Sequence, residues 1–429
     1  MSFRVNVWYL PLILAGLFLI YLVGGLLYFN ATPKNILVTE PVYAEFTVSD
    51  DEFRHESGLL LGTRWVEGNH IEIMDEGEQI FDAMLDYIRR AEQTITKETY
   101  NFWGEEVGNA FAEELSNAAQ RGVEVYFLMD YVGSRKATRN QIRQMEEAGV
   151  RVIRWRQPSW FQLSRFNHRT HRKLLVVDGK TAFTGGVNTA DDWRISENPY
   201  RFRDYHYKIK GPIVNEIQKA FSENWVAASG QLLTNSYFYP EIKPAGDYLM
   251  QVTSSHPREG KMFIRKKYLY AIASATESIR INAAYFYPDP AFLEILTDAA
   301  ERGLKVQIIV PGENIDQGYF RQASKNRWHD LLKAGVEIYE YQPSMYHAKL
   351  LIVDDKFVSI GSANVDNRSF RINDETNVNI LSREFAEKRI EYFEDDLRQS
   401  ELYTLEKLEE RRTWEKFVGW AASVLGPHL

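Results

Sequence analysis

The six residues Ala118-Ala119-Gln120-Arg121-Gly122-Val123 return 181 positions later as Ala299-Ala300-Glu301-Arg302-Gly303-Leu304. Ala148-Gly149-Val150 returns as Ala334-Gly335-Val336, 186 positions on, and Gln157-Pro158 pairs with Gln342-Pro343. A near-constant offset of this size is far longer than a solenoid repeat and means a duplicated domain. In the first copy Ile80, Phe81, Met84, Leu85 and Ile88 recur at helical spacing, and Thr94 to Phe102 reads as a strand. A helix carrying Val107, Phe111 and Leu115 then stops at Gly122, and Val123 to Met129 is the apolar run of a buried parallel strand. The second copy repeats the order: Ile279 to Tyr287, a helix with Phe292, Leu293, Ile295 and Leu296 ending at Gly303, then Leu304 to Val310. Strand, helix, strand in each copy predicts an α/β fold, two domains with mixed sheets flanked by helices.

Both copies continue into H-x-K-x4-D. The first is His171-Arg172-Lys173-Leu174-Leu175-Val176-Val177-Asp178 and the second His347-Ala348-Lys349-Leu350-Leu351-Ile352-Val353-Asp354. Seventeen residues after each histidine stands an asparagine, Asn188 in Gly185-Gly186-Val187-Asn188 and Asn364 in Gly361-Ser362-Ala363-Asn364. One such match is unremarkable; two in register inside duplicated contexts are a strong signal. On an extended strand residues i and i+2 share a face, so each histidine and its lysine point into one cavity. Asp178-Gly179 and Asp354-Asp355 read as turns to a return strand, which assigns the two aspartates to structural support of the site. Two copies facing across a pseudo-twofold would gather two imidazoles, two ammonium groups and two carboxamides at one point.

That set suits phosphodiester chemistry: a neutral imidazole attacks phosphorus, a protonated partner serves the leaving oxygen, and lysine and asparagine hold the equatorial oxygens. Asp204 and Glu375 match across the copies and are placed behind the histidines, each to fix a tautomer. No metal or cofactor is expected, because a lysine beside each histidine repels a cation and no third ligand stands at i+4. The chain has no cysteine, so thiolate chemistry is absent. A net charge of -8 argues against nucleic acid as the partner. His55, His70, His168, His206, His256, His329 and His428 have no paired context and read as ordinary residues. Arg194, Arg201, Arg203, Arg368 and Arg371 lie near the motifs, where headgroup contact and structural ion pairing are both open.

From Trp8 to Phe29 no residue is charged, and at about 1.5 Å per residue the segment reaches the roughly 30 Å of a bilayer core. A membrane anchor is expected ahead of a cleaved signal, and the flanking charges place the catalytic region on the outer face. The expected organisation is a tail (1–7), a transmembrane anchor (8–29), a stalk (30–70), a first domain (71–229), a connection (230–260), a second domain (261–400) and a C-terminal amphipathic helix (401–429). That last helix carries Trp414, Phe417, Val418, Ala421, Val424 and Leu425 on one stripe beside Arg411, Arg412 and Lys416, and either lies in a membrane interface or docks on the core. Trp160, Phe161 and Phe166, between Gln157-Pro158 and His171, pose the same alternative.

The doubled motif resembles the phospholipase D superfamily. Tyr346-His347-Ala348-Lys349 and the run Gly361 to Glu375, with Lys97-Glu98-Thr99-Tyr100 and Glu340-Tyr341-Gln342-Pro343, are similar to bacterial cardiolipin synthases over roughly residues 70 to 429. The resemblance implies two phospholipase D-like domains with the active site at their pseudo-twofold interface, and an enzyme of the bacterial inner membrane. It implies transfer of a phosphatidyl group through phosphohistidine onto a second phosphatidylglycerol, with glycerol released. His171 would be the nucleophile and His347 the acid and base, the reverse being open by symmetry, with Lys173, Lys349, Asn188 and Asn364 on the phosphoryl oxygens. Phosphatidylethanolamine as donor, water as acceptor to give a phospholipase D, and a nuclease of the same superfamily remain the alternatives. Three departures from the family pattern stand out: a single N-terminal span, Gly186 where the second copy has Ser362, and about nine extra residues between Gln157-Pro158 and His171.

Overall fold

The computed structural model describes residues 9–31, 38, 40–75, 77–157, 167–194, 201–256 and 260–423. Its strands are β1 (Val66–Met74), β2 (Thr94–Thr99), β3 (Glu124–Asp130), β4 (Arg151–Trp155), β5 (Leu174–Val177), β6 (Thr181–Gly185), β7 (Phe202–Arg203) and β8 (His206–Lys210) in the first repeat. The second has β9 (Tyr248–Ser255), β10 (Ser278–Ala283), β11 (Phe286–Tyr287), β12 (Lys305–Pro311), β13 (Glu337–Tyr341), β14 (Met345–Tyr346), β15 (Lys349–Val353), β16 (Phe357–Gly361), β17 (Val365–Asp366), β18 (Glu375–Leu381) and β19 (Ser400–Tyr403).

Fifteen strands form one sheet in the order β19-β13-β12-β10-β15-β16-β18-β9-β1-β8-β6-β5-β2-β3-β4. Apart from β19, the order reads the same outward from the β9–β1 pair in both directions, which is the duplication expressed as a pseudo-twofold. In each half, helix crossovers make β2–β3 and β10–β12 parallel, while the hairpins β5–β6 and β15–β16 are antiparallel. The sheets are therefore mixed, and the fold is the duplicated α/β architecture.

Both faces of the motif strands are buried, which is why they read as unbroken apolar runs. Leu174 and Val176 join a core that extends across both repeats to Leu350 and Ile352 and is covered by the helices Val214–Ser229 and Arg383–Arg398. The alternate residues face out, Leu175 and Val177 to the first repeat's own core and Leu351 and Val353 to the second's. The shared inner core therefore holds the two motifs in one frame.

Ordered elements also lie in the segments whose composition suggested stalk and connection. The helix Asp51–Leu61 buries Phe53 completely, stacked on Tyr270 at 5.3 Å and edge-on to Phe357 at 5.9 Å. Within 230–260, β9 pairs with both β18 and β1 and so carries the dyad. This strand is buried on both faces, Met250 and Val252 in the shared core and a polar row on the other side, where Gln251 and Thr253 are fully enclosed and receive hydrogen bonds from Asn379 Nδ2, at 3.4 and 2.8 Å.

The N-terminal helix runs Leu10–Ala31. Its described side chains are unbroken only from Ile13 to Gly25, and among the described residues no helix is long and apolar enough to cross a membrane. Trp160, Phe161, Phe166, Val424 and Leu425 lie outside the described residues.

Candidate active site

The two histidines meet in one cavity of about 350 Å³ at the junction of the repeats. Backbone pairing across the dyad brings them there. His171 N–H donates to the carbonyl of Asp374 at 2.8 Å, and His347 N–H to that of Arg203 at 2.7 Å. The parallel pair β7–β14 and the Thr170–Asp374 bridge are the two equivalent crossings. Each histidine thus lies beside the residue that precedes the other repeat's carboxylate.

The consequence is an exchange of partners. Nδ1 of His171 lies 3.0 Å from Oε1 of Glu375, and Nδ1 of His347 lies 2.6 Å from Oδ2 of Asp204. Each carboxylate serves the histidine of the opposite repeat through Nδ1, so Nε2 is the ring nitrogen without a carboxylate partner. The surroundings differ in detail. Ser362 Oγ donates to Glu375 at 2.5 Å, whereas a Cβ at Gly186 would collide with the Asp204 carboxylate. Trp193 Nε1 supplies the missing donor to Asp204 at 3.2 Å, joined by the Tyr205 N–H at 2.8 Å. Glycine replaces serine in the first repeat because the indole takes over the hydroxyl's role. Tyr100 and Trp193 also contact the His171 and His347 rings edge-on, with centroids 5.3 and 5.2 Å apart.

Lys173 Nζ donates to the His171 carbonyl at 2.6 Å, and Lys349 Nζ lies 2.8 Å from Nδ1 of His347 and bonds to the same residue's carbonyl. Neither lysine walls the cavity; both stand behind the imidazoles. Burial pulls Lys173 down to about 7 and Lys349 to about 8, against the attraction of Glu375 and Asp204. Burial likewise lowers His171, opposed by Glu375, and takes His347 to about 3 with the help of Lys349. Asp204, although buried, is held below the usual carboxylate range by Lys349 and His347. Both imidazoles are therefore neutral before an anion enters.

Asn188 and Asn364 both line the cavity. Asn188 Oδ1 accepts from the Asn101 N–H at 3.1 Å, while Asn364 Oδ1 is buried with no partner among the described residues. Asp178 and Asp354 do not reach the cavity. Asp178, with φ +53°, accepts from the N–H groups of Glu92, Gln93 and Thr94, the last two at 2.7 and 3.0 Å. Asp354, with φ +50°, accepts from Thr276, Glu277 and Ser278 at 2.8, 2.8 and 3.1 Å. Each clamps the start of the neighbouring central strand, β2 or β10, at the end of the motif hairpin.

Of the five arginines near the motifs only Arg368 lines the cavity, where it is joined by Arg169, two residues before His171. Arg203 is committed to Asp75 and Asp396, at 3.2 and 3.0 Å. On the second-repeat side the wall includes Tyr285, Asp316, Gln317 and Asp366, with Tyr285 OH donating to Asp316 at 2.7 Å. Burial raises Asp316 and takes Asp366 to about 6. Tyr285, Asp316, Gln317 and Trp193 carry no motif spacing, so only the fold reveals them, whereas Asp366 falls within the run Gly361 to Glu375. Among the described residues no cluster of three or more His, Cys, Asp or Glu could hold a metal ion.

The family profile described as "Cardiolipin synthase, PLD-like domain" matches residues 84–225 and 268–397, one match for each repeat. The chain belongs to this phospholipase D-like family. It is an enzyme of the superfamily, of the cardiolipin synthase-like phosphatidyltransferase class. It is 34% identical over 366 residues to cardiolipin synthase 2 of Staphylococcus epidermidis, covering 84% of this chain and 75% of that one. It is 33% identical over 371 residues to the major cardiolipin synthase of Bacillus subtilis, covering 85% and 76%. The fold is also similar to a solved phosphatidylserine synthase of Haemophilus influenzae, with TM-score 0.66 over 87% of this chain and 96% of that one, at 14% identity.

Proposed function

We propose that the enzyme joins two phosphatidylglycerol molecules into cardiolipin and releases glycerol, through a phosphohistidine at His171. The observation that carries this reading is the pair of buried histidines, each oriented by the opposite repeat's carboxylate in one cavity. Nε2 of His171 attacks phosphorus, forming the N–P bond as the P–O bond to glycerol breaks. The leaving oxygen takes its proton from His347. A phosphodiester anion in the cavity raises His347 toward protonation, supplying the negative charge that its buried surroundings lack. His347 then accepts the proton of the acceptor's hydroxyl, whose oxygen attacks phosphorus and breaks the N–P bond. Lys173 and Lys349 offset the charge from behind, while Arg169, Arg368, Asn188 and Asn364 face the phosphoryl oxygens. Asp316, Gln317 and Tyr285 offer the acceptors and donors that a glycerol headgroup needs.

The 22 residues from Trp8 to Phe29 carry no charge in the sequence, which supports a single membrane anchor; the charges flanking the run favour an outward-facing site. The test is mass spectrometry of lipids after the purified protein meets phosphatidylglycerol vesicles. Cardiolipin with equimolar glycerol, lost in His171→Ala and His347→Ala, is the expected result. Phosphatidic acid alone means that water is the acceptor and overturns the transfer reading.

A further inference from the structure

The helix Thr413–Ser423 has two apolar faces, and the protein buries only one. Gly419 and Ala422 lie on the helix Gly318–Lys325, where a Cβ on Gly419 would run into the Gln322 carbonyl. Ala422 packs with Tyr287, Phe320 and Ala323. Arg411 locks the approach, its guanidinium donating to Asn326 Oδ1 and Gln322 Oε1, both at 2.9 Å. The opposite face carries Trp414, Phe417 and Trp420, 69%, 50% and 63% exposed. Their rings follow one another along the helix with centroids 5.6 and 5.9 Å apart. Exposed Arg412 and Lys416 flank this row. Outside the N-terminal helix, other large exposed apolar side chains among the described residues are scattered singly or in pairs.

The helix beneath is part of the candidate active site. Tyr319 and Phe320 of Gly318–Lys325 line the catalytic cavity, and Tyr319 is itself 48% exposed. The aromatic row is therefore rigidly coupled to one wall of the cavity mouth.

We propose that Trp414, Phe417 and Trp420 seat in the headgroup region of a phospholipid bilayer and hold the mouth of the catalytic cavity against the lipid surface. Tryptophan is the side chain best suited to the boundary between headgroups and acyl chains, and the flanking cations complement anionic lipid. An aromatic row this exposed lacks a partner in water. The inference rests on the lipid-transfer reading, which supplies the reason for a mouth at the membrane, and it makes the helix both docked and interfacial.

Because the chain has no cysteine, single cysteines report cleanly. Phe417→Cys and Trp420→Cys, each carrying a nitrobenzoxadiazole label, are compared with Arg143→Cys on the exposed face of the helix Arg139–Glu147, all in full-length protein in vesicles of phosphatidylglycerol and phosphatidylcholine. Lipid spin-labelled near the headgroup is expected to quench the label at 417 and 420 at least about twofold more than at 143. The triple variant Trp414→Ser/Phe417→Ser/Trp420→Ser is expected to lose about tenfold in cardiolipin formed from vesicles and to keep the wild-type rate on detergent-dispersed short-chain substrate. Labels equally open to water in vesicles that make cardiolipin overturn the inference and leave the transfer reading intact. Quenching without any lipid product supports the membrane contact and overturns the transfer reading. Protection that appears without lipid and grows with protein concentration makes the face a contact between copies, and overturns the inference.

Discussion

Glu375 and His171 are 204 residues apart in the chain and 3.0 Å apart at Oε1 and Nδ1. The carboxylate belongs to the second repeat and the imidazole to the first, so neither half contains a complete histidine pair of its own. Glu375→Gln and Asp204→Asn are expected to keep the fold and lower kcat by at least about tenfold, by releasing the ring tautomer. Steady-state kinetics beside circular dichroism checks this; wild-type rates in either variant would remove the orienting role.

The alkaline side of the pH–rate profile should report the lysines. Lys173 at about 7 and Lys349 at about 8 lose their protons as pH rises through that window, and with them the positive charge behind the phosphoryl group. kcat/KM is expected to fall between about pH 7 and 9. A profile flat over that range contradicts the assignment.

Lys97 is buried against the Phe111 ring at 4.4 Å, and burial takes it down to about 7. Between that value and its unfolded value near 10.4 the unfolded chain holds the proton and the folded chain does not, so stability from this residue rises with pH across the window. Below about 7 both states are protonated and the cost of burying the charge stands in full. Lys97→Met is expected to stabilise the protein by on the order of 1 kcal/mol at pH 7 and to flatten that slope. Denaturant melts at pH 7 and pH 9.5 measure both.

Asp396 accepts from Tyr205 OH at 2.6 Å, Tyr346 OH at 2.9 Å and Arg203 Nε at 3.0 Å. Those donors flank Asp204 and precede His347, so one buried carboxylate fastens both partners of the second pair. Asp396→Ala leaves Arg203 short of a counter-charge in a buried network and is expected to cost about 3–5 kcal/mol of stability. Asp396→Asn is expected to fold and to lower kcat without changing KM. A KM effect alone would place Asp396 in substrate binding instead.

Asp354→Ala removes the acceptor from three consecutive backbone N–H groups and is expected to destabilise by about 1–3 kcal/mol for each donor left buried and unpaired. At a temperature where the variant is folded, the pH–rate profile should keep its shape. A displaced profile would mean that the aspartate reaches the chemistry directly.

What the sequence determined by itself is what local spacing and repetition encode. The doubled H-x-K-x4-D sets a histidine and a lysine two residues apart at the head of each motif strand, and the repeated Ala-Ala-x-Arg-Gly at a near-constant offset makes a second, equivalent domain unavoidable; that the lysines turn behind the imidazoles rather than into the cavity is decided by the fold. Apolar runs such as Leu174 to Val177 declare strands buried on both sides. The exchange of carboxylates between repeats is not in any local pattern, because Asp204 and Glu375 match equally well with either histidine until β9 pairs with β1 and the two halves lock face to face. The polar row of β9, the indole of Trp193 standing in for a serine, and the wall of Tyr285, Asp316 and Gln317 belong to the same class. Their roles arise from contacts between segments distant in sequence, and only the closed dyad brings those segments within hydrogen-bonding distance.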